Sequence, residues 1–400
     1  SSIVPFGKKY FFAEKNYRNL YTFEGYYMYD DYLKIKNIVN NDRVLSVGYD
    51  PMIAAMNGIN VIRVKTYITE NEGFLKRVFD YMSFMLTGFC AGLIQNRPDV
   101  IIATSPQFFT AISGWALSVV RRRPFIFELR DIWPASITAV GAMRKSKIIE
   151  LLEKVELFLY KRADCIVSVT NSFKSELVKR GIDAEKIHVV LNGVDLDQYK
   201  PFDFKDPTLT KKFNLNEKFV VGYIGTHGLA HGLEHVIDAA ELLKDRDDIK
   251  ILFVGGGAAR KKLECYIRSK QLTNLVLVPR QPKDAMPRFW SLCDISLISL
   301  RNAPLFEAVI PSKIFESMGM GIPMLVSMPA GEATEIIQSS KSGIIVPPES
   351  PSDLAKAIEN YADNPKMLRN FAENAAFSAK LYCRNKLAKD MALIIEKIVK

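Results

Sequence analysis

Short β-branched runs recur along this chain, and longer segments of helical period separate each run from the next. That alternation restricts the fold sharply. Parallel strands cannot be joined by tight turns, because each pair needs a crossover of a dozen or more residues, usually a helix. The pattern therefore predicts an α/β protein built on parallel sheets. Strand candidates in the first half are "VIRV" (Val61 to Val64), "VIIAT" (Val100 to Thr104), "PFIFEL" (Pro124 to Leu129), "CIVSVT" (Cys165 to Thr170) and "IHVVLN" (Ile187 to Asn192). The second half repeats the scheme with "FVVGYIG" (Phe219 to Gly225), "KILFVGG" (Lys250 to Gly256), "NLVLVP" (Asn274 to Pro279), "DISLISL" (Asp294 to Leu300), "PMLVSM" (Pro323 to Met328) and "GIIVPP" (Gly343 to Pro348). Their apolar continuity predicts sheets covered on both faces.

Two such sets in 400 residues predict two Rossmann-like parallel-sheet domains facing across a cleft, followed by C-terminal helices. The polar, proline-containing stretch "NGVDLDQYKPFDFKDPTLTKKFNLNEK" lies between them. The expected organisation is an N-terminal domain at 1–195, a connection at 196–216, a second domain at 217–380 and a terminal helix at 381–400 that packs back on the first domain.

Hydrophobic residues make up 48% of the chain and charged residues 24%, which excludes a disordered protein. Cys90, Cys165, Cys265, Cys293 and Cys383 are scattered without a CxxC pair, so a disulfide scaffold is not expected and a reducing compartment fits. The net charge of +10 points to an anionic partner: nucleotide, nucleic acid or an acidic membrane surface. Tyrosines and charges crowd "YRNLYTFEGYYMYDDYLKIK", but no RNA-binding signature accompanies them, so a surface region is expected there and no nucleic acid partner. The run "YMSFMLTGFCAGLI", Tyr81 to Ile94, falls short of the roughly 18 apolar residues of a membrane span. With Lys76 and Arg77 before it and Arg97 after it, the run fits either a buried helix or one lying in the plane of a membrane surface.

In open α/β sheets ligands bind beyond the carboxyl ends of the strands. The loops there are informative. "GTHGLAHG" follows the first strand of the second half, with glycines at Gly225, Gly228 and Gly232 that permit positive φ and close approach of a ligand, ahead of a helix whose N-terminus attracts anions. The stretch from Gly222 to Ala240 also holds three of the four histidines, His227, His231 and His235. A zinc site would need His231 and His235 on one helix face and a further ligand of suitable spacing, and none accompanies them. A phosphate turn is the expectation, with histidines in solvent or core as the alternative. "VGGGAARKKLE", carrying Gly255, is a second glycine turn in the same sheet. In "VIPSKIFESMGMGIPMLVSMPAGEATEII", Pro311 and Ser312 can start a helix, Lys313 falls in its first turn and Glu316 one turn on. A lysine there opposes the helix dipole, and a bound diphosphate would reward it. The carboxylate of Glu316 suits both hydroxyls of a ribose.

These residues resemble a retaining glycosyltransferase of the GT-B fold, family four, close to the bacterial subgroup that builds O-antigen and capsule with N-acetylated deoxyhexosamines of the fucosamine type. The resemblance rests on "FELRDIWPASITAVG", "LNGVDLDQYKP", "GTHGLAHGLE", "PSKIFESMGMGIP" and "GEATEIIQSSKSGIIVPPESP" and covers nearly the whole chain. It implies a hexosyltransferase that moves an N-acetylated hexosamine from a UDP-sugar to a polyprenyl-diphosphate-linked saccharide without a metal. Such an enzyme would be cytoplasmic and peripheral on the inner face of the cytoplasmic membrane. Carried over by residue, the donor would be held by Gly225, Thr226, His227, Gly228, Gly255, Lys313, Glu316, Glu332 and Glu335, while Arg130 and Asp131 face the reacting centre. Trp133 and Pro134 would shape the acceptor wall. "DLD" at Asp195 to Asp197 is a cap or turn in this reading.

Three departures qualify it. The first glutamate of the family's pair is replaced by Ala308, with Glu307 one place off; Thr226 and His231 stand where the family carries arginine and lysine; and the chain enters at the family's second strand. An epimerase of the same fold, or a non-catalytic scaffold subunit, are the alternatives.

Overall fold

All ten strands expected from Val100 onward are present, and every pairing among them is parallel. The computed structural model describes residues 20–23, 52–56, 59–67, 74–105, 108–133 and 146–399. The chain divides into one unit formed by residues 1–190 and 388–400 and another formed by residues 191–387.

In the first unit, β1 (Leu20–Phe23) is a strand that the sequence reading assigned to the surface. It pairs in parallel with β4 (Val100–Thr104), in register from Leu20 with Val100. "VIRV" is also corrected. Val61 to Arg63 belong to β3 (Ile59–Arg63), which forms an antiparallel two-stranded sheet with β2 (Met52–Met56) rather than a strand of the parallel sheet. The sequence between them is Asn57-Gly58, the pair that favours two-residue hairpins. The large sheet runs β1-β4-β5-β6-β7, where β5 is Phe125–Leu129, β6 is Cys165–Ser168 and β7 is Ile187–Val189. Phe74–Ile94, Phe108–Arg121 and Lys147–Arg162 form helices. No helix among the described residues is long and apolar enough to cross a membrane.

The terminal helix Arg384–Val399 sends Met391 and Ile395 into a core with Val100, Ile102, Ile126, Cys165 and Val167. Burial of this kind stabilises by about 25 cal/mol per Å² of apolar surface. It explains why the last residues group with the first unit.

The second unit is a six-stranded sheet, β10-β9-β8-β11-β12-β13. Its strands are β8 (Phe219–Ile224), β9 (Ile249–Val254), β10 (Leu275–Val278), β11 (Ile295–Ser299), β12 (Met324–Ser327) and β13 (Gly343–Val346). Val221, Tyr223, Ile251, Phe253, Ile295, Leu297 and Leu325 pack with Val236, Ile237 and Leu354 in its core. Residues expected to form a polar connection belong to this unit. Asp206 caps the helix Pro207–Lys212, Leu209 and Leu215 are buried, and Asp195 accepts the Asp197 amide at 3.1 Å in an Asx turn.

Candidate functional site

The carboxyl ends of β8 and β9 lead directly into the two glycine turns, and the turns clasp each other through their backbones. Gly225 N donates to Val254 O (2.9 Å), His227 N to Gly256 O (2.8 Å) and Ala259 N to His227 O (2.9 Å). Gly225 and Gly255 lie at φ +147° and +153°. A Cβ on Gly255 would stand 1.8 Å from the Gly225 carbonyl oxygen, so only glycine permits this approach. Gly228 has φ −96°, so the freedom expected there is not used; Gly232, at φ +55°, is where the loop enters the helix Leu233–Leu242.

The three histidines do not share a helix face. His231 lies in a single 3₁₀ turn before the helix, its Nδ1 3.2 Å from Ser299 O, while Ser299 Oγ donates back to His231 O at 2.7 Å. His235 is 3.7 Å from Glu349. The His227 side chain is fully buried beside the rings of Tyr223 and Phe253, with no hydrogen-bond partner at either ring nitrogen. Burial drives both inner imidazoles toward the neutral form: His227 falls to about 4, with Arg260 and Lys313 adding to the effect, and His231 to about 3, with Lys313 adding again. Among the described residues, no group of three or more His, Cys, Asp or Glu could hold a metal ion. Thr226 offers its carbonyl to the Tyr223 hydroxyl at 2.8 Å.

Lys313 opens the short helix Lys313–Gly319, whose preceding Ser312 makes no side-chain cap, contrary to the expectation for that position. Its ammonium is buried, stands 3.6 Å from the centre of the Tyr223 ring, and has no hydrogen-bond partner. A Cβ on Gly225 would meet Cε and Nζ at 3.2 Å, so the cation lies directly against the first glycine turn. Burial pushes its pKa down to about 7, with Glu316 opposing. Glu316 is half-buried. Burial raises its pKa, and Arg384 is foremost among the groups that hold it down.

Glu332 and Glu335 separate on their helix, Glu332–Ser340. Glu332 is half-buried and its charge raises the pKa of Tyr382, after burial; Glu335 is exposed. The helix start is locked by Gly331, where a Cβ would lie 2.0 Å from Glu307 O. Glu307 thus contributes backbone packing, while its side chain is exposed, and Ala308 ends the 3₁₀ turn Pro304–Ala308.

In the first unit, Arg130 and Asp131 follow β5. Ser105, which the sequence reading missed, pins both: its Oγ accepts from Arg130 N (2.9 Å) and Asp131 N (3.3 Å) and donates to Asp131 O (3.1 Å). Arg130 is engaged by the buried Glu128 at 2.9 Å, so its guanidinium holds the strand end as well as lying beside the loop. Trp133 stacks on Phe108 at 5.0 Å; Pro134 lies outside the described residues. Nearby, buried Glu156 accepts from Tyr160 (2.6 Å) and Arg180 (3.3 Å). Burial raises its pKa to about 7, and the charge of Asp131 adds slightly. A glutamate on the buried side of "KIIELLEKVELFLYKR", four residues before a tyrosine, was the available signal.

Residues 205–376 match the family described as Glycosyl transferases group 1, and residues 44–198 match Glycosyltransferase Family 4. The chain has the GT-B glycosyltransferase fold of group 1 and family 4. Its relatives include the "Putative colanic acid biosynthesis glycosyl transferase WcaI" of Escherichia coli K12, 25% identical over 327 residues, covering 78% of this chain and 79% of the relative. Among solved structures, HepE from Anabaena in complex with UDP-glucose superposes with a TM-score of 0.65 at 20% identity, covering 81% and 84% of the two chains. Sucrose-phosphate synthase from Thermosynechococcus elongatus reaches 0.72 at 18% identity, covering 87% and 85%.

Proposed function

We propose that the second unit binds a UDP-sugar and that the protein transfers the sugar, an N-acetylated hexosamine, to a hydroxyl of a polyprenyl-diphosphate-linked saccharide, with retention of configuration, in O-antigen or capsule assembly. The observation that carries this reading is Lys313, a buried cation without a hydrogen-bond partner, set against a glycine turn at the end of a parallel strand. The UDP-glucose complex of HepE and the relative named for colanic acid biosynthesis support the donor class and the setting.

The physical task is to stabilise charge that grows on the leaving diphosphate while an oxocarbenium-like sugar forms. Lys313 and the backbone amides of the clasped turns do this in a site of low dielectric, without a metal. Glu316 holds the ribose and Glu332 the donor sugar. Glu335, being exposed, is dropped from direct contact. Asp131, fixed by Ser105, orients the acceptor hydroxyl, and Arg130 serves the loop through Glu128.

The same proposal places the protein on the inner face of the cytoplasmic membrane. Phe79, Leu86 and Ile94 are exposed along the helix Phe74–Ile94. Arg121 donates to the carbonyls of Gly92, Leu93 and Gln95 at the end of that helix, and Arg97 to those of Arg121 and Arg122, which gathers Arg97, Arg121 and Arg122 at the end of the apolar stripe. An apolar stripe that ends in a cluster of arginines suits an anionic bilayer surface. The test of the activity is UDP release from UDP-sugars by the full chain. Release that depends on a lipid-diphosphate saccharide supports the transferase; UDP binding without release under any acceptor refutes it and leaves a scaffold.

A further inference from the structure

The far end of the loop after β8 is tied to the end of β11. Ser299 Oγ donates to His231 O at 2.7 Å, and His231 Nδ1, 3.2 Å from the Ser299 carbonyl, carries the proton because a carbonyl can only accept. Two residues on, Arg301 N donates to Ala230 O (2.9 Å) and Arg301 Nε to Leu229 O (2.7 Å). Arg301 Nη1 donates to Glu349, past the end of β13, at 3.3 Å, and Nη2 to Glu234 in the first turn of the helix Leu233–Leu242. One arginine therefore joins the segments that follow β8, β11 and β13 in the second sheet.

The backbone bends to make these contacts. Glu349 holds φ +58°, which a residue with a side chain adopts only at a cost, and its carboxylate lies between Arg301 and His235, 3.7 Å away. Gly232 turns at φ +55°, and a Cβ there would stand 3.4 Å from both Arg301 Cγ and His235 Cδ2, so the arginine also packs against this glycine. The carbonyls of Leu229, Ala230 and His231 are thus all directed at the end of β11. In a planar trans peptide the N–H points opposite to its carbonyl, so the same contacts set the direction of the Ala230, His231 and Gly232 amides.

Arg301 itself is not placed to bind an anion. Each of its three side-chain nitrogens already donates to the protein, and two carboxylates offset its charge. Between Gly225 and Gly232 the loop carries no arginine or lysine of its own. Such a turn meets an anion with its backbone, and backbone donors stabilise charge well only when they are already held in place. We propose that Arg301, with Ser299, is a positioning residue of the donor site, fixing the outer half of the first glycine turn, Leu229 to Gly232, in the form that receives a nucleoside diphosphate. The proposal rests on the donor-site reading and adds to it what keeps the turn in shape.

The experiment is hydrogen–deuterium exchange and UDP titration of the full chain, wild type against Arg301→Ala. The readout is a peptide spanning Gly228 to Val236, where the His231 and His235 amides are held on Gly228 O (3.2 Å) and Gly232 O (3.1 Å). Its exchange should speed by about tenfold to hundredfold, the worth of a hydrogen bond from a charged group, while the rest of the second unit exchanges as before. The Kd for UDP should weaken by a similar factor, and millimolar ethylguanidinium, which refills the space left by the side chain, should restore both. Should that variant fail to fold, Ser299→Ala, which removes only the Oγ bond to His231 O, decides: exchange about twofold to tenfold faster in the same peptide, with weaker UDP binding, is expected. An unchanged Kd overturns the proposal and leaves the donor site standing. So does a weaker Kd with unchanged exchange, which would make Arg301 a direct ligand. No UDP binding by the wild type overturns the donor-site reading and the proposal with it.

Discussion

Gly255→Ala should unlock the two glycine turns. The added Cβ would stand 1.8 Å from Gly225 O and 2.9 Å from Gly225 C, both backbone atoms that cannot swing aside. To reach ordinary van der Waals contact the turns must part by more than 1 Å. That movement strains the Gly225–Val254 and His227–Gly256 hydrogen bonds, now 2.9 and 2.8 Å. Overpacking costs about 1–3 kcal/mol and a non-glycine residue at positive φ about 1–2 more, so a loss of about 2–5 kcal/mol is expected. For a unit of this size that lowers the melting temperature by roughly 4–20 °C. Gly256→Ala is the control one residue away. Its Cβ would meet nothing closer than Arg280 Cβ at 3.7 Å, and its expected change is within about 0.5 kcal/mol. Circular-dichroism melting of both variants, followed by UDP titration, checks the reasoning. If the two melt within 2 °C of each other, the backbone clasp is not what holds the site.

Glu316→Gln should weaken UDP binding by about tenfold to a hundredfold, the worth of charge-assisted hydrogen bonds to a ribose, and an unchanged Kd would remove Glu316 from the site. His227 and His231 ionise near 4 and 3 in the folded chain against 6.5 in a free imidazole, so the unfolded chain binds more protons and stability drops as pH falls from 6.5 toward 4. The slope approaches about 2.7 kcal/mol per pH unit where both sites contribute, and His227→Gln should halve it in urea melts at pH 5 and 6. Replacing Arg97, Arg122 and Arg123 together with glutamate should abolish co-sedimentation with anionic liposomes at low salt. Retained sedimentation would move the membrane contact elsewhere.

The strands were legible because parallel, doubly covered strands leave unbroken apolar runs, and β8 through β13 show no competing pattern. "VIRV" misled because an apolar run does not declare its partner; the Asn57-Gly58 pair beside it did. Lys313 could be picked out because a cation at a helix start opposes the dipole, and Glu316 because a carboxylate one turn on suits the hydroxyls of a ribose and its segment resembles the family's motif. Ser105 and Glu128 could not, since their roles come from β4 and β5 lying side by side more than twenty residues apart in sequence. The histidines were visible as a cluster, but spacing alone did not reveal that a 3₁₀ turn separates them and that one is sealed under Gly255.

The most direct test is a thermal-shift comparison of wild type and Lys313→Met with UDP, GDP and a panel of UDP-sugars, with and without EDTA. The account predicts stabilisation of the wild type by UDP and a UDP-sugar, unchanged by EDTA and lost in the variant. Stabilisation that requires a divalent metal, or that survives in Lys313→Met, would contradict it.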